Sequence, residues 1–245
     1  MTESQKTIYL LNIGDYAPEI CELTYPTIYA YAAKCGAGIT EIRERKFHEW
    51  PLTYEKLQIG TLAREAGDDW AIYIDSDTLV HPELPDITEL VPSDHVCHNA
   101  VDFAPIRWRY DKYFRRDGRN IGSANWFAAA SEWCFDLWTP IHDMTPEEAI
   151  GRITLSAAER RLMKPEHLID DYALSRNIAR FGLKCITMTD LWRRANLPIA
   201  EFFFHQYLMP IEDYEGRDEQ TGEIVPKLGK LNSMKQTLER WQVDL

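Results

Sequence analysis

Two aspartates one residue apart stand where an apolar run ends: Trp70-Ala71-Ile72-Tyr73-Ile74 empties into Asp75-Ser76-Asp77. Residues two apart on a strand point to the same side, so these carboxylates converge if the strand stays extended to its end. Paired carboxylates suit a hard divalent cation that also binds phosphate oxygens. A cation held there stabilises the charge that develops on a departing phosphate. The same spacing also arises where a strand ends in a solvated acidic turn. Two further positions have the right chemistry. His205 follows the stretch Ile199 to Phe204, and a neutral imidazole beside two carboxylates suits Mn²⁺ somewhat better than Mg²⁺. Asp170 and Asp171 lie together in Ile169-Asp170-Asp171-Tyr172-Ala173-Leu174-Ser175-Arg176. A carboxylate there serves either as a base for an attacking hydroxyl or as a cap on free backbone N–H groups.

The elements that position these residues are legible in outline. Thr7 to Ile13 is an apolar run closed by Gly14 and Asp15, which predicts a buried first strand. A helix is expected from about Ala17 to Ala33, ending near Gly36 and Gly38, followed by a strand over Ile39 to Phe47. Leu57, Leu62 and Ala63 give Tyr54 to Ala66 helical spacing, and Trp70 to Ile74 is the third strand. Strands alternating with helices predict a mostly parallel sheet with right-handed crossovers, whose ligands bind beyond the carboxyl ends of the strands. That edge collects Gly14 to Tyr16 and the aspartate pair. Further on, Ile121 to Ala130 and Leu183 to Thr187 read as strands, and Asp170 to Arg180 as a helix. Thr145-Pro146-Glu147-Glu148 is a capping box with proline at the first helical position. Residues 212 to 223 read as a polar loop, and Asn232 to Trp241 as a small closing helix.

Composition narrows the class. The 245 residues are 45% hydrophobic and 27% charged, as in an ordinary globular protein, and the net charge of −12 argues against non-specific coating of nucleic acid. No apolar stretch approaches the ~18 residues of a membrane span, and the opening Met-Thr-Glu-Ser-Gln-Lys lacks a secretory core, so a cytoplasmic location is expected. Five scattered cysteines without a C-x-x-C pair read as buried reduced thiols.

Tyr54-Glu55-Lys56-Leu57-Gln58-Ile59, an acidic turn, and then Ile72-Tyr73-Ile74-Asp75-Ser76-Asp77-Thr78-Leu79-Val80 resemble the donor-binding segment of the glycogenin-like glycosyltransferases. The close resemblance covers about a fifth of the chain. It implies a single α/β domain of the Rossmann-like GT-A type over residues 1–210, with 211–245 a loop and helix packed on it. It further implies a Mn²⁺ or Mg²⁺ ion held by Asp75, Asp77 and His205, and a nucleotide-diphosphate sugar, UDP-linked, as donor. Lys56 would meet the diphosphate or sugar, with Ser76 beside it. Gly122-Ser123-Ala124-Asn125 falls where the family has sugar contacts, making Ser123 and Asn125 candidates. Asn12-Ile13-Gly14-Asp15-Tyr16 resembles the loop that receives the base, where Asp15 and Tyr16 are candidates, Tyr16 by stacking. Asp171, with Asp170 beside it, matches the base of inverting enzymes and equally the sugar-side aspartate of retaining ones. The glycine and lysine that usually follow the family's histidine are missing from His205-Gln206-Tyr207-Leu208-Met209-Pro210.

Residues 107–119, Arg-Trp-Arg-Tyr-Asp-Lys-Tyr-Phe-Arg-Arg-Asp-Gly-Arg, are basic and aromatic within an acidic chain. Such a stretch binds phosphates and stacked bases, covers a pocket as a lid, or is a solvated loop. In the first case the acceptor carries phosphate, a modified DNA base being one candidate. Two rival readings remain open: a haloacid-dehalogenase-like phosphatase, whose nucleophile also lies in D-x-D, and a nucleotide-sugar-binding module without turnover.

Overall fold

The computed structural model describes residues 4–99, 110, 122–157, 159–197, 202–205, 209–218 and 222–241. Strand β1 (Lys6–Leu11) leads into helix α1 (Pro18–Cys35), strand β2 (Gly38–Ile42), a 3₁₀ turn (Leu52–Gln58) continuous with helix α2 (Ile59–Ala66), and strand β3 (Trp70–Ile74). Strands β4 (Thr78–Val80), β5 (His95–His98), β6 (Phe127–Ser131) and β7 (Lys184–Thr187) follow, with the helix Ile169–Phe181 before β7. Strand β8 (Phe203–His205), a hairpin of β9 (Tyr214–Arg217) and β10 (Ile224–Lys227), and the helix Lys230–Trp241 come last, and short helices (Pro146–Ile150, Glu159–Leu162, Met188–Arg194) and 3₁₀ turns fill the intervals.

Six strands form one sheet in the order β2-β1-β3-β6-β5-β7, in which β6 alone runs antiparallel to its neighbours. This is the mostly parallel α/β class expected from the sequence. Its central strands are apolar on both faces because helices cover both. Alternation sends Tyr9, Ala71 and Tyr73 to one face, against Leu57, Ile59, Trp138 and Leu174. It sends Ile8, Leu10, Ile72 and Ile74 to the other, against Ile28, Tyr31, Leu191 and Trp192. Gly36, Gly67 and Gly182 end their helices in the left-handed conformation, which costs a residue without Cβ little.

Several sequence expectations need correction. The second strand stops at Ile42, and the helix expected from Tyr54 begins as a 3₁₀ turn. The strand expected from Ile121 starts only at Phe127. The polar loop 212–223 contains β9 and leads into β10. The capping box is realised as read: Thr145 accepts from the Glu148 amide and the Glu148 carboxylate accepts from the Thr145 amide. No helix among the described residues is long and apolar enough to cross a membrane.

Candidate metal and donor site

The aspartate pair converges through a turn rather than through an extended strand. β3 ends at Ile74, and the Thr78 amide donates to the Asp75 carbonyl at 3.0 Å, folding Asp75 and Asp77 over Ser76. Two hydrogen bonds pin this turn to the sheet edge: the Ser76 hydroxyl donates to the Leu11 carbonyl at 2.8 Å, and the Thr24 hydroxyl donates to the Ser76 carbonyl at 2.5 Å. β4 then pairs antiparallel with β8 in a separate two-stranded sheet, with Thr78 opposite His205. That register sets the imidazole beside the turn. His205 Nε2 lies 3.6 Å from Asp75 Oδ2 and 3.4 Å from Asp77 Oδ1.

Each ligand candidate has its own neighbour holding it. Asp75 receives the hydroxyl of Tyr73, two residues before it, and lies 3.1 Å from the Lys56 ammonium. Asp77 is bound by Lys230 Nζ at 2.5 Å and approached by the Tyr16 hydroxyl at 3.4 Å. The His205 ring stacks on Trp126 with centroids 5.0 Å apart and planes 4° from parallel. Burial works against charge on Asp75 and Asp77, yet Lys56 and His205 hold the first below the usual carboxylate range, and His205 and Lys230 the second. Burial likewise opposes charge on His205, but the two facing carboxylates raise its pKa.

Lys56 is buried and does more than face the cleft. Its ammonium donates to Asp170 Oδ2 at 2.7 Å and to the Asn125 carbonyl. Burial disfavours its charge, but Asp170 and Asp75 outweigh that and raise its pKa. One ammonium thus serves two carboxylates, and Asp170 is the weaker acid: burial pushes it up to about 6 against the pull of Lys56. Asp171 is buried beside it, with Oδ1 accepting from Ser123 at 2.6 Å and Oδ2 from Tyr110 at 2.8 Å. The Asn125 amide oxygen lies 3.2 Å from the Ser123 hydroxyl and accepts from Asn99 at 3.1 Å.

A cleft of about 510 Å³ runs over this centre, lined by Leu11, Ile13, Tyr16, Lys56, Asp75, Ser76, Asp77, His205 and Lys230, with Pro51 to Thr53, Glu166, His167 and Met209 completing its wall. Of the residues singled out in the sequence, Tyr16, Lys56, Asp75, Ser76, Asp77 and His205 meet here. Asp170, Asp171, Ser123 and Asn125 form the layer behind Lys56 instead of the wall. Asp15 faces a neighbouring cavity of about 570 Å³ that shares Tyr16, and lies 3.6 Å from Arg43. The basic stretch 107–119 falls outside the described residues except for Tyr110.

Lys230 was not found from the sequence. It comes from the far side of the β9–β10 hairpin, whose ends close tightly: the Lys230 amide donates to the Pro210 carbonyl at 2.7 Å and the Leu231 amide to Ile211 at 3.1 Å. A lysine that follows Gly229, not one in the segment after His205, thus reaches the aspartate turn. Trp126, Glu166 and His167 carried no signal either, since nothing in their spacing places them at the aspartate turn.

No protein family description matches the chain, and no curated protein matches it in sequence. Among solved structures it is similar to a glycosyltransferase involved in the glycosylation of the major capsid of PBCV-1. The two share 10% identity and a TM-score of 0.40, over 75% of this chain and 80% of that one. A likeness so distant carries no inference about activity, which has to come from the site. The donor set itself fits a cation. One ligand atom each from Asp75, Asp77 and His205 lies within 4.8 Å of the others, and the imidazole stands 3.6 and 3.4 Å from the two carboxylates, where adjacent donors on a divalent ion stand ~3–3.7 Å apart, about 1.4 bond lengths.

Proposed function

We propose that the chain is a metal-dependent glycosyltransferase that moves a sugar from a nucleotide-diphosphate donor, a UDP-sugar, to a hydroxyl acceptor. The observation that carries this reading is the convergence of Asp75, Asp77 and His205 between two buried lysines on one cleft wall. Two carboxylates and an imidazole would hold Mn²⁺, or Mg²⁺, which supplies charge stabilisation to the departing diphosphate when bound. Lys56 and Lys230 are fixed ammonium groups on either side, and a diphosphate between them meets preorganised positive charge with little rearrangement. Tyr16 offers its ring at the cleft mouth for the base.

Behind the wall, Asp170 holds Lys56 protonated and in place. Asp171 fixes Ser123, and through it the Asn125 amide, on the sugar side. As acceptor base, Asp171 would have to regain an oxygen from Ser123 or Tyr110, whereas Glu166 already stands on the wall. Transfer rates of Asp171→Asn and Glu166→Gln separate the two assignments.

The decisive experiment is sugar-nucleotide turnover, with and without Mn²⁺, in the wild-type protein and in Asp77→Ala. The variant is expected to lose about 10²-fold or more of the metal-dependent rate. A folded Asp77→Ala protein with near-normal turnover overturns the assignment.

A further inference from the structure

We infer that Trp126 is a positioning residue that sets the metal site by joining its two sheets; the inference rests on the metal-binding reading above. Trp126 stands one residue before β6, next to Phe127, which is paired with Ile74 at the end of β3. Continuing that register brings the Trp126 carbonyl to the Asp75 amide, at 2.8 Å. Its backbone thereby fixes the first aspartate. Its indole faces the other sheet, stacked flat on His205 and edge-on to Phe203, 5.9 Å away, both on β8.

A metal-ligating histidine is usually oriented by a hydrogen bond to its second ring nitrogen. Among the described residues a ring face also orients His205: turning the imidazole about its Cβ–Cγ bond breaks a contact whose planes are 4° from parallel. The stack therefore keeps Nε2 between Asp75 and Asp77. One residue holds both arms in mutual register, the aspartate arm through its backbone carbonyl and the histidine arm through its indole, although it lies outside the set of ligands.

The test uses the full chain and Mn²⁺ itself. Trp126→Leu is expected to weaken Mn²⁺ binding, read as free Mn²⁺ by electron paramagnetic resonance, by ~10-fold, the scale of losing a partner that orients a ligand. Trp126→Phe keeps a ring face and binds near the wild-type affinity. Paramagnetic Mn²⁺, unlike Mg²⁺, quenches the adjacent indole, so the Mn²⁺-specific quenching of the wild-type protein disappears in Trp126→Phe. If Trp126→Leu does not fold, the Mn²⁺ affinity of Trp126→Met, which keeps apolar bulk without a ring face, is read in its place. A folded Trp126→Leu or Trp126→Met with wild-type Mn²⁺ affinity overturns the inference and leaves the metal site standing. A wild-type protein that binds no divalent cation overturns the metal site itself.

Discussion

Lys230 occupies the first turn of a helix, where the aligned peptide dipoles disfavour a cation, and it is buried. Asp77 is what makes that placement tolerable. Conversely, removing the ammonium leaves the carboxylate to His205 and the Tyr16 hydroxyl, at a cost of about 1.5–3 kcal/mol for the lost charge-assisted hydrogen bond. Lys230→Met is therefore expected to melt well below the wild-type protein in EDTA and to recover most of the difference in Mn²⁺. Equal losses in both conditions would show that the lysine acts by packing alone. His98 and Asp170 make contributions of opposite sign to the pH dependence, because burial lowers the imidazole and pushes the carboxyl up to about 6. Burial lowers the His98 pKa from 6.5 to about 4, so between those values the unfolded chain binds more protons at this residue and its contribution to stability rises with pH. The contribution is complete above pH 6.5, falls as the pH drops toward 4, and levels off below, a span of ~3 kcal/mol. The wild-type urea-derived stability minus that of His98→Gln is expected to rise with pH across that window; a difference that does not change with pH contradicts the assignment.

At the scale of elements, legibility followed length and periodicity. The long helices, the buried strands Lys6–Leu11 and Trp70–Ile74, and the capping box at Thr145 all carry repeating or local signals. Strands β4 and β5 are three and four residues long, too short for a period to register. The β9–β10 hairpin was hidden by Gly216 and Pro226, residues that argue against a strand. That hairpin matters because its closure delivers Lys230. A Cβ on Gly229 would lie 2.1 Å from the Glu212 carbonyl oxygen, a backbone atom that cannot rotate away. Gly229→Ala is expected to cost ~1–3 kcal/mol in urea unfolding and to weaken UDP binding in Mn²⁺ as Lys230 shifts. Unaltered UDP affinity would mean that the hairpin closes independently of the site.

For the whole molecule, the proposed ligands should bind only the folded state and so raise its stability. UDP with Mn²⁺ at 100 times the dissociation constant adds ~2.7 kcal/mol, which for a chain of this size is about 5–10 °C in melting temperature. EDTA should abolish the shift. A melting temperature indifferent to both ligands counts against the cleft as a donor site.

The sequence by itself determined the α/β class, the first three strands with their helices, and the residue types at the aspartate turn, because apolar periodicity and punctuation by glycine and proline act locally. It also supplied His205, through the resemblance. Only the tertiary structure decided how those residues meet. The carboxylates converge through a turn, the histidine arrives by pairing β8 with β4, and Lys230 and Trp126 come from segments far apart in the chain. Such meetings depend on strand register and on the closure of an excursion, and neither leaves a period in the amino-acid order.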